Sequence, residues 1–571
     1  MKTSIKGTSI SSLVCFSLLS NPAHSNDVLT QEIQQLKHQE TLNETNKAFE
    51  RAQKFLFEKQ PEHNGKDSSF NSDIKTNTEN RISLITIDDG GKATNLDFTS
   101  VIKQYQNKPL TTNQVLNLVK DLTDVLYQAG YVTSAIGLKE NITHKNELHF
   151  IIHWGYVSDY LINGVPPKNF RDKAMVSVLP NIKNNILNVH DIDQFIEILN
   201  TTNKSAEIKV TAAEKVGESN LNIITKRTYL PHFTLGFNNS GVENNANGRN
   251  QLTASMSWSD LLGTNDSWYL STGYRLYKHH NQNNQQNYSL SYSQPFSFYT
   301  LDLRLSQSDN EKELNGINSY SSSGKIQTAN IKLSRVLTRS KTSIFSAYSE
   351  LEFKKRKNYI GERLVSLYHN NKLTIGLSHI TNFLDGKLYS DISYSNGLNW
   401  FHSDSLAYNR KTSKTLKLIS GSISWYKPFI IKQRYVNYQF RLGFQYSPYA
   451  LYSDNQFSIG DEYTVRGFKG GISSGESGYY LSQTLELPFY PNKTYLSQIK
   501  PFIGIDFGRT FKRIENKSES IAGFAIGGKT QIKQLALSFT YAKPLKNIKC
   551  DNKCNKADNA GVYYVNTSIS F

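Results

Sequence analysis

The sequence predicts a mainly β protein, in which a sixteen-stranded transmembrane β-barrel follows an N-terminal helix and two small α/β units. Aromatic residues make up 12% of the chain, although hydrophobic residues as a whole reach only 38%, and the mean hydropathy is −0.50. Disordered chains are poor in aromatic residues. A membrane-spanning helix needs about 20 consecutive apolar residues, whereas the best run here is Ile10–Leu19. From Tyr229 onward apolar and polar residues alternate, which is typical of strands with one face toward lipid and one toward water.

Residues 1–25 have the pattern of a secretory signal peptide. Lys2 and Lys6 give a positive start, the apolar run follows, and Ala23-His24-Ser25 supplies a small-x-small cleavage site. The pattern predicts export, so the rest of the chain is interpreted as an envelope protein.

Residues 26–60 are predicted to form one amphipathic helix, which Pro61 ends. Its apolar stripe is thin, which makes it a poor core element and suits a polar channel or a surface. Residues 61–80 form a linker rich in Asn, Ser, Asp, Lys and Gly. The nineteen residues from Glu62 to Asn80 reach about 60 Å when extended, so the helix need not stay beside the next unit.

Two tandem α/β units follow, at residues 81–154 and 155–226. The spacing of apolar residues predicts the order β-α-α-β-β in each, with an exposed sheet edge. In the first unit, Thr112 is the expected N-cap of the second helix and Gly130 its stop. The expected elements are 81–87, 99–106, 113–129, 131–138 and 147–154 in the first unit, and 156–162, 170–179, 191–201, 206–212 and 221–226 in the second.

Residues 227–571 are predicted to form the barrel. In one segment, for example, Leu535, Leu537, Phe539 and Tyr541 alternate with small or polar residues. Sixteen candidate strands begin near residues 229, 249, 266, 286, 299, 324, 341, 369, 386, 414, 434, 477, 498, 519, 534 and 561. An even strand number is the bacterial rule, and closure leaves no unpaired edge in lipid.

The chain carries 65 Lys and Arg against 48 Asp and Glu, which gives a formal net charge of +17. Such an excess can attract nucleic acid, an anionic membrane surface or an acidic partner. The alternative, which we favour, is a compositional drift toward lysine and asparagine. The basic residues are scattered, and no nucleic-acid motif accompanies them, so nucleic acid is not an expected partner.

Cys550 and Cys554 are the two cysteines outside the signal segment, which holds Cys15. They form either a small disulfide or half of a metal site. Because no other cysteine and no nearby histidine completes a ligand set, we favour a disulfide in an oxidising compartment. No metal site is predicted.

The sequence offers two weak candidates for catalysis. Residues 471–475 match G-x-S-x-G, but that motif needs a strand before it and a helix after it, and here it lies in a Gly/Ser loop followed by a strand. The run Asp88-Asp89-Gly90-Gly91 fits a turn better than a pair of catalytic carboxylates. The histidines show no metal spacing and no Gly-rich phosphate loop is present. We therefore predict no catalytic residue, no cofactor and no enzymatic activity.

Two motifs relate this architecture to a known family. The first α/β unit carries Leu122-Thr123, Tyr127 and the run 130–134, similar to an "LT..Y...GYVTS" box, and residues 460–468 match a VRGF/Y loop signature. The whole mature chain resembles the TpsB family, the outer-membrane transporters of two-partner secretion. The resemblance implies that the α/β units are periplasmic POTRA domains, that the N-terminal helix is a plug and that the barrel lies in the Gram-negative cell outer membrane.

The family resemblance also implies a function and its partners. A TpsB transporter exports one dedicated large protein of the TpsA type, which is a haemolysin, an adhesin or a contact-dependent inhibition toxin. The POTRA edge would capture this cargo by strand addition, and the expected binding residues are Tyr131, Val132, Thr133, Ser134 and Ile136. Other expected partners are outer-membrane lipid, periplasmic chaperones and the barrel-assembly machinery, with the protein itself a monomer. The alternatives are a barrel-assembly factor of the same superfamily and a passive porin.

The family signature assigns a loop of about 454–475 to the lumen, with Val465, Arg466, Gly467 and Phe468 at its tip. Its partner motif is Gly504-Ile505-Asp506-Phe507-Gly508 on the thirteenth strand.

Strand alternation independently places Gly504, Asp506 and Gly508 on the face opposite Ile505, with glycines that leave room for a close approach. We therefore expect a charge-assisted bond between Arg466 and Asp506. The alternative is an exposed loop arginine and an unrelated lumenal carboxylate.

Overall fold

The structure is a computed structural model that describes residues 23–56, 81–92, 96–139, 146–241, 248–279, 283–314, 319–340, 342–400, 416–491, 496–513, 515–546 and 561–571. Most of the predicted signal peptide, most of the linker and the Cys550–Cys554 pair lie outside these residues. Of the helices in the described part of the chain, none has both the length and the apolarity needed to cross a bilayer.

The N-terminal helix α1 (Ala23–Leu56) has 34 residues and is therefore about 51 Å long. It lies inside the barrel, because the side chains that it contacts point inward from strands and from a lumenal loop, as described below. Its thin apolar stripe is consistent with this polar setting.

The first α/β unit contains β1 (Leu84–Asp88), α2 (Thr99–Tyr105), α3 (Thr112–Gln128), β2 (Ala135–Leu138) and β3 (Glu147–His153). The sheet order is β1-β3-β2, with β1 parallel to β3 and β2 antiparallel to it, so β2 forms one edge. Leu118, Leu122 and Leu126 of α3 are fully buried against this sheet.

Two local predictions in the first unit are wrong. The N-cap of α3 is Thr111 and not Thr112, because Thr111 and Gln114 form a capping box with each other's backbone. The expected strand 131–138 begins only at Ala135. Gly130, at φ +94°, lets the chain turn back, so that Tyr131 N donates to Leu126 O at 2.9 Å and the next residues form a turn.

The second unit repeats the topology with β4 (Tyr156–Ile162), α4 (Phe170–Ser177), α5 (Val189–Leu199), β5 (Lys204–Ala212) and β6 (Glu218–Arg227). Its sheet order is β4-β6-β5, and its core includes the fully buried Val157, Phe195 and Leu221. The two units therefore share one β-α-α-β-β plan.

The predicted sixteen-stranded antiparallel barrel is confirmed, and the observed strands begin close to the predicted residues. Every strand pairs with its sequence neighbour, and the last strand closes on the first over five residue pairs. The barrel strands are β7 (His232–Asn238), β8 (Gln251–Ser259), β9 (Ser267–Arg275), β10 (Asn283–Phe296), β11 (Tyr299–Leu314), β12 (Tyr320–Arg339), β13 (Ser343–Ile360), β14 (Arg363–Phe383), β15 (Gly386–Leu398), β16 (Lys417–Ile431), β17 (Arg434–Tyr446), β20 (Ser477–Glu486), β21 (Leu496–Lys512), β22 (Lys517–Ile532), β23 (Leu535–Lys546) and β24 (Val562–Ser570). Two further strands, β18 (Phe457–Ile459) and β19 (Ser473–Gly475), form a small hairpin in the loop between β17 and β20.

The second α/β unit contacts the adjacent end of the barrel through an ion-pair cluster. Asp260, in the turn between β8 and β9, lies 3.2 Å from Lys204 Nζ, 3.3 Å from Arg171 Nη2 and 3.4 Å from Arg227 Nε. Burial lowers the pKa of Lys204 to about 8, and the carboxylate of Asp260 opposes this shift. A second contact joins Arg339, at the end of β12, to Glu197 of α5. Charged side chains therefore fix this unit at the mouth of the barrel.

The path of the chain shows which end of the barrel faces the second α/β unit. Because β7 follows directly from the second α/β unit, the barrel end that holds its first residues is the end that faces this unit. Turns after even-numbered barrel strands lie at that end, and loops after odd-numbered strands lie at the opposite end. The loop of residues 447–476, between the eleventh and twelfth barrel strands, therefore enters from the opposite end.

Candidate functional site in the barrel lumen

The loop of residues 447–476 folds into the lumen and is packed there. Its hairpin pairs β18 with β19. Ile459 and Val465 are completely buried, and Phe468 is nearly so, in a small apolar cluster that also contains Ile521 of β22. The loop is thus held by its own core as well as by polar contacts.

The structure brings Arg466 at the loop tip against Asp506 of β21. Arg466 Nε donates to Asp506 Oδ2 at 2.6 Å and Nη2 donates to Oδ1 at 2.7 Å, which makes the pair bidentate. The backbone N of Arg466 also donates to Oδ2 at 2.9 Å. The side chains are 7% and 0% exposed, so this is a buried charge pair.

The guanidinium of Arg466 has further partners on the neighbouring strand β20. Its Nη2 donates to Thr484 Oγ1 at 3.0 Å and to Gln483 O at 3.2 Å. These contacts add to those with Asp506, and they connect the loop tip to two adjacent strands. Such complete pairing is what a buried ion pair requires if desolvation is not to outweigh the attraction.

Glycines make room for this loop tip. A Cβ at Gly504 would lie 2.1 Å from Arg466 Nη2, and a Cβ at Gly508 would lie 2.9 Å from Val465 Cγ2. The sequence did not reveal Gly523 of β22, where a Cβ would lie 1.7 Å from the carbonyl oxygen of Arg466. The register between β21 and β22 would have indicated this glycine, since Gly523 is the cross-strand partner of Asp506.

The last strand holds the other side of the loop tip. Gly467 N donates to the hydroxyl oxygen of Tyr564 at 3.1 Å, and this hydroxyl donates to Phe468 O. Gly467 has φ +107°, a conformation that favours glycine, and a Cβ there would meet the backbone of Lys543 at 2.9 Å. The four residues predicted for the tip, Val465, Arg466, Gly467 and Phe468, therefore lie together against strands β20–β24.

Asp461, earlier in the same loop, connects the loop to helix α1. Its Oδ1 accepts from the backbone N of Tyr463 and of Thr464 at 2.9 and 2.8 Å, while its Oδ2 lies 2.8 Å from His38 Nδ1. The sequence pattern predicts no role for His38 or Asp461. Only the position of the helix in the lumen brings them together.

Helix α1 crosses the lumen on a series of polar contacts. Near its start, Gln34 Nε2 donates to Ser453 O at 2.9 Å and to Gln456 O at 3.2 Å. Further along, Glu40 pairs with Arg304 of β11, and Glu44 lies 3.7 Å from Lys332 of β12. Near the other end, Ala48 packs against Ile380, and the rings of Phe49 and Tyr426 have centroids 6.5 Å apart. The apolar contacts shown for the described side chains of the helix lie at this end.

A second buried charge holds the first part of the loop. Asp454 pairs with Arg356 of β13 and accepts from the hydroxyl of Tyr368 of β14. Arg356 Nη1 also donates to Thr30 Oγ1 of helix α1 at 3.2 Å. This cluster joins loop, barrel wall and helix, and no feature of the sequence pointed to it.

The residues predicted to bind cargo occupy different environments in the first α/β unit. Val132 is 38% exposed, whereas Ser134 and Ile136 are buried. The ring of Tyr131 packs edge-on against Trp154, and Ser134 Oγ accepts from Gly155 N at 3.1 Å. Thr133 is half-buried. The side chains of Ser134 and Ile136 thus face the interior, and the surface here consists of Val132 and the free backbone edge of β2.

The serine of the G-x-S-x-G segment attaches the loop hairpin to the barrel wall. Ser473 begins β19, and its buried Oγ lies 2.6 Å from Thr510 Oγ1 and donates to Glu519 Oε2 at 2.6 Å. These contacts attach the hairpin to β21 and β22. No helix follows the segment, since β19 leads directly into β20.

Comparison with known proteins supports the resemblance that the motifs indicated. Residues 217–530 match the family described as haemolysin secretion/activation protein ShlB/FhaC/HecB, and residues 81–155 match the POTRA domain, ShlB-type. The outer membrane transporter CdiB of Dickeya dadantii (strain 3937) is 26% identical over 466 residues, which cover 79% of this chain and 80% of that protein. The hemolysin transporter protein HpmB of Proteus mirabilis is 24% identical over 443 residues, 75% of each chain.

Solved structures share the fold. CdiB from Escherichia coli superposes with a TM-score of 0.80 at 22% identity, covering 95% of this chain and 98% of that one. CdiB from Acinetobacter baumannii gives a TM-score of 0.73 at 20% identity, with 95% and 99% covered. The barrel is thus an outer-membrane barrel with POTRA domains in the periplasm, and the chain belongs to the haemolysin secretion/activation protein family ShlB/FhaC/HecB.

Proposed function

We propose that this protein is the outer-membrane pore that carries one dedicated large partner protein to the cell surface in two-partner secretion. The relatives are named as transporters, outer membrane transporter CdiB in one group and hemolysin transporter proteins HpmB and ShlB in the other. The observation that carries the proposal is a closed barrel whose lumen holds a helix by polar contacts, beside a loop fixed by a buried ion pair. A pore with a removable occupant can pass an unfolded chain.

The first step of the proposed mechanism is capture of the cargo in the periplasm. Strand β2 is an edge of its sheet, so its outer backbone groups can pair with an extended segment of the cargo. Exposed apolar side chains lie on this strand and just before it, namely Leu138 and Val132. They offer contacts for alternate side chains of an added strand.

The second step is release of helix α1. Its contacts with the wall are mostly polar, and Glu44 is 63% exposed where it faces Lys332. Exposed ion pairs contribute about 0–1 kcal/mol each, and water can replace polar contacts when the helix leaves. The helix is therefore suited to act as a plug that withdraws when cargo arrives.

The third step is passage beside the Arg466 loop, which stays in place. Its buried pair with Asp506 would leave an uncompensated charge if the loop moved away, so the loop is the fixed part of the lumen. No nucleotide motif accompanies the pore, and we propose folding of the cargo outside the cell as the driving force. The names of the family and its relatives describe secretion and transport, and we propose that the protein has no catalytic activity and acts as a monomer.

Secretion can be tested in a strain that lacks this protein. We expect the culture supernatant to lose one large protein while the set of outer-membrane barrels is unchanged. Loss of many barrels from the membrane would instead favour the assembly-factor alternative, and an unchanged supernatant would favour the porin. Re-expression of the wild-type chain is the control that should restore the secreted protein.

The plug is tested separately by deletion of residues 27–80. In planar bilayers we expect the deleted form to conduct continuously, whereas the full chain should open in brief events. Equal conductance of the two forms would refute the plug. Proper insertion of both forms is checked by the shift in electrophoretic mobility between heated and unheated samples.

A further inference from the structure

The lipid-facing wall of the barrel carries a groove that the proposed transport function does not use. It crosses strands β7–β14 and has a volume of about 960 Å³. Two neighbouring rows of side chains form its walls, and each row follows the cross-strand register. One row runs from Phe233 and the other from Leu235, and they end at Asn371 and His369, respectively.

These rows face outward because their sequence neighbours face inward. Arg304 and Arg356 contact helix α1 in the lumen, and side chains alternate between the two faces of a strand. Leu305 and Lys355, one residue away from them, therefore point to the lipid side. Leu305 is accordingly 56% exposed. The apolar residues of the lining include Phe233, Leu235, Met256, Leu270, Leu290, Leu305, Ala329 and Phe353.

The groove rises diagonally across the membrane. It begins near the periplasmic end of β7 and finishes in the extracellular half of β13 and β14. On the outer face of β13, Phe345 and Lys355 are about 33 Å apart along the strand. At the roughly 40° tilt of such strands this is about 25 Å of height, which equals the height of the apolar band. Lys357 follows Lys355 on the same face. They therefore lie at the level of the headgroups of the outer leaflet.

Positive charge collects at this upper end of the groove. Lys357 is the direct cross-strand partner of Lys325, and like charges in that position repel each other. Lys325 Nζ lies 3.9 Å from Asp309 Oδ1. Among the residues that the structure describes, neither Lys355 nor Lys357 forms an ion pair. An external anion would relieve the repulsion and complete the pairing of these lysines.

We propose that the groove is a binding site for a phosphorylated lipid and that its occupant is lipid A, the phosphate-bearing glycolipid of the outer leaflet. An acyl chain lies along the apolar part of the two rows, and a phosphate is bound by Lys355, Lys357 and Lys325. Basic pockets at the membrane surface bind anionic headgroups in this way. These three lysines are part of the net positive charge of the chain, and the phosphate is their proposed partner.

Lipid binding by the purified full-length protein in mild detergent tests the proposal, with native mass spectrometry as the readout. The probes are lipid A, dephosphorylated lipid A and phosphatidylglycerol. Wild type should bind lipid A in preference to both others. The double variant Lys355→Gln/Lys357→Gln should bind lipid A about 25-fold more weakly, and should no longer prefer it over the dephosphorylated form.

A second variant tests the groove itself. Ala329→Trp places a large side chain in the row that begins at Phe233, on the lipid side, and we expect it to weaken binding of lipid A and of dephosphorylated lipid A alike. Lys427→Gln is the matched control, because Lys427 faces outward on β16, away from the groove, and should leave lipid A binding unchanged. Undiminished lipid A binding by the double variant, equal binding of phosphatidylglycerol by wild type, or no retained lipid would each overturn the proposal.

Discussion

The lumen contains two occupants that are held in different ways. The tip of the 447–476 loop is attached by Arg466, whose partner Asp506 is buried and whose contacts with Asp506 are at 2.6–2.9 Å. Helix α1 is attached by scattered side chains, and its ion-pairing groups Glu40 and Glu44 are 40% and 63% exposed. A buried, fully paired charge is costly to separate, whereas exposed pairs contribute little. The same barrel thus has one permanent and one releasable occupant.

The largest expected effect is that of Arg466→Ala, which removes the permanent attachment. Loss of one member of a buried pair costs about 3–5 kcal/mol, so the loop should leave its site, and export of the partner protein should fall to background. The variant barrel should still insert and shift in mobility on heating. Arg509→Ala, which removes an arginine bonded to Ser518 on the outer side of the same strand, is the matched control.

Exchange of the two charges distinguishes direct pairing from a general need for a loop arginine. Arg466→Asp and Asp506→Arg should each abolish export, and the double exchange should recover part of it. A double exchange that is no better than either single variant would contradict direct pairing.

Gly523→Ala should have the next largest effect, because its Cβ would lie 1.7 Å from the carbonyl oxygen of Arg466. Overpacking of this kind costs about 1–3 kcal/mol, and the loop tip should become sensitive to added protease in intact cells. The control is Gly528→Ala on the same strand, where a Cβ meets nothing within 4 Å. Equal protease resistance of the two variants would argue against a close fit at the tip.

The sequence predicted the barrel and the attachment of the loop tip. Alternation placed the sixteen strands, and the family motif together with strand parity pointed to Arg466 and Asp506. It missed Gly523, because the role of this residue depends on the register between two strands. It missed His38 with Asp461 and Arg356 with Asp454, because neither a helix inside a lumen nor a long loop carries a sequence signal for the side chains that it contacts. At Gly130, backbone geometry outweighed the β propensity of the following residues.

High salt should weaken the attachment of helix α1 but not that of the Arg466 loop, with a smaller effect than the substitutions above. The Debye length falls to about 3 Å at 1 M salt, which screens the partly exposed pairs of Glu40 with Arg304 and Glu44 with Lys332. Openings of single channels in planar bilayers should become several times more frequent. The Arg466 attachment is buried and should not respond, so a variant lacking residues 27–80 should show no such change in opening with salt.

The smallest expected effect is that of His38→Ala, which removes the contact between the helix and Asp461. The contact is largely buried, with His38 15% and Asp461 2% exposed, but Asp461 keeps its hydrogen bonds to the backbone of Tyr463 and Thr464. Loss of this one hydrogen bond costs about 1 kcal/mol net, so opening events should rise only a few-fold. Gln39→Ala, at the exposed neighbouring position, should leave the opening frequency unchanged. If both variants behave alike, the link between helix and loop does not restrain the helix.

The direction of helix α1 has a mechanical consequence. Gln34 lies against the loop that enters from the extracellular side, and Phe49 lies beside Tyr426 toward the periplasmic mouth. The C-terminal end of the helix therefore leads toward the linker and the first POTRA domain. Tension applied to the linker loads the periplasmic end of the helix first, and where the helix unwinds from that end its polar contacts break one after another. A small force acting over about 50 Å then replaces the large force that would break all the contacts at once.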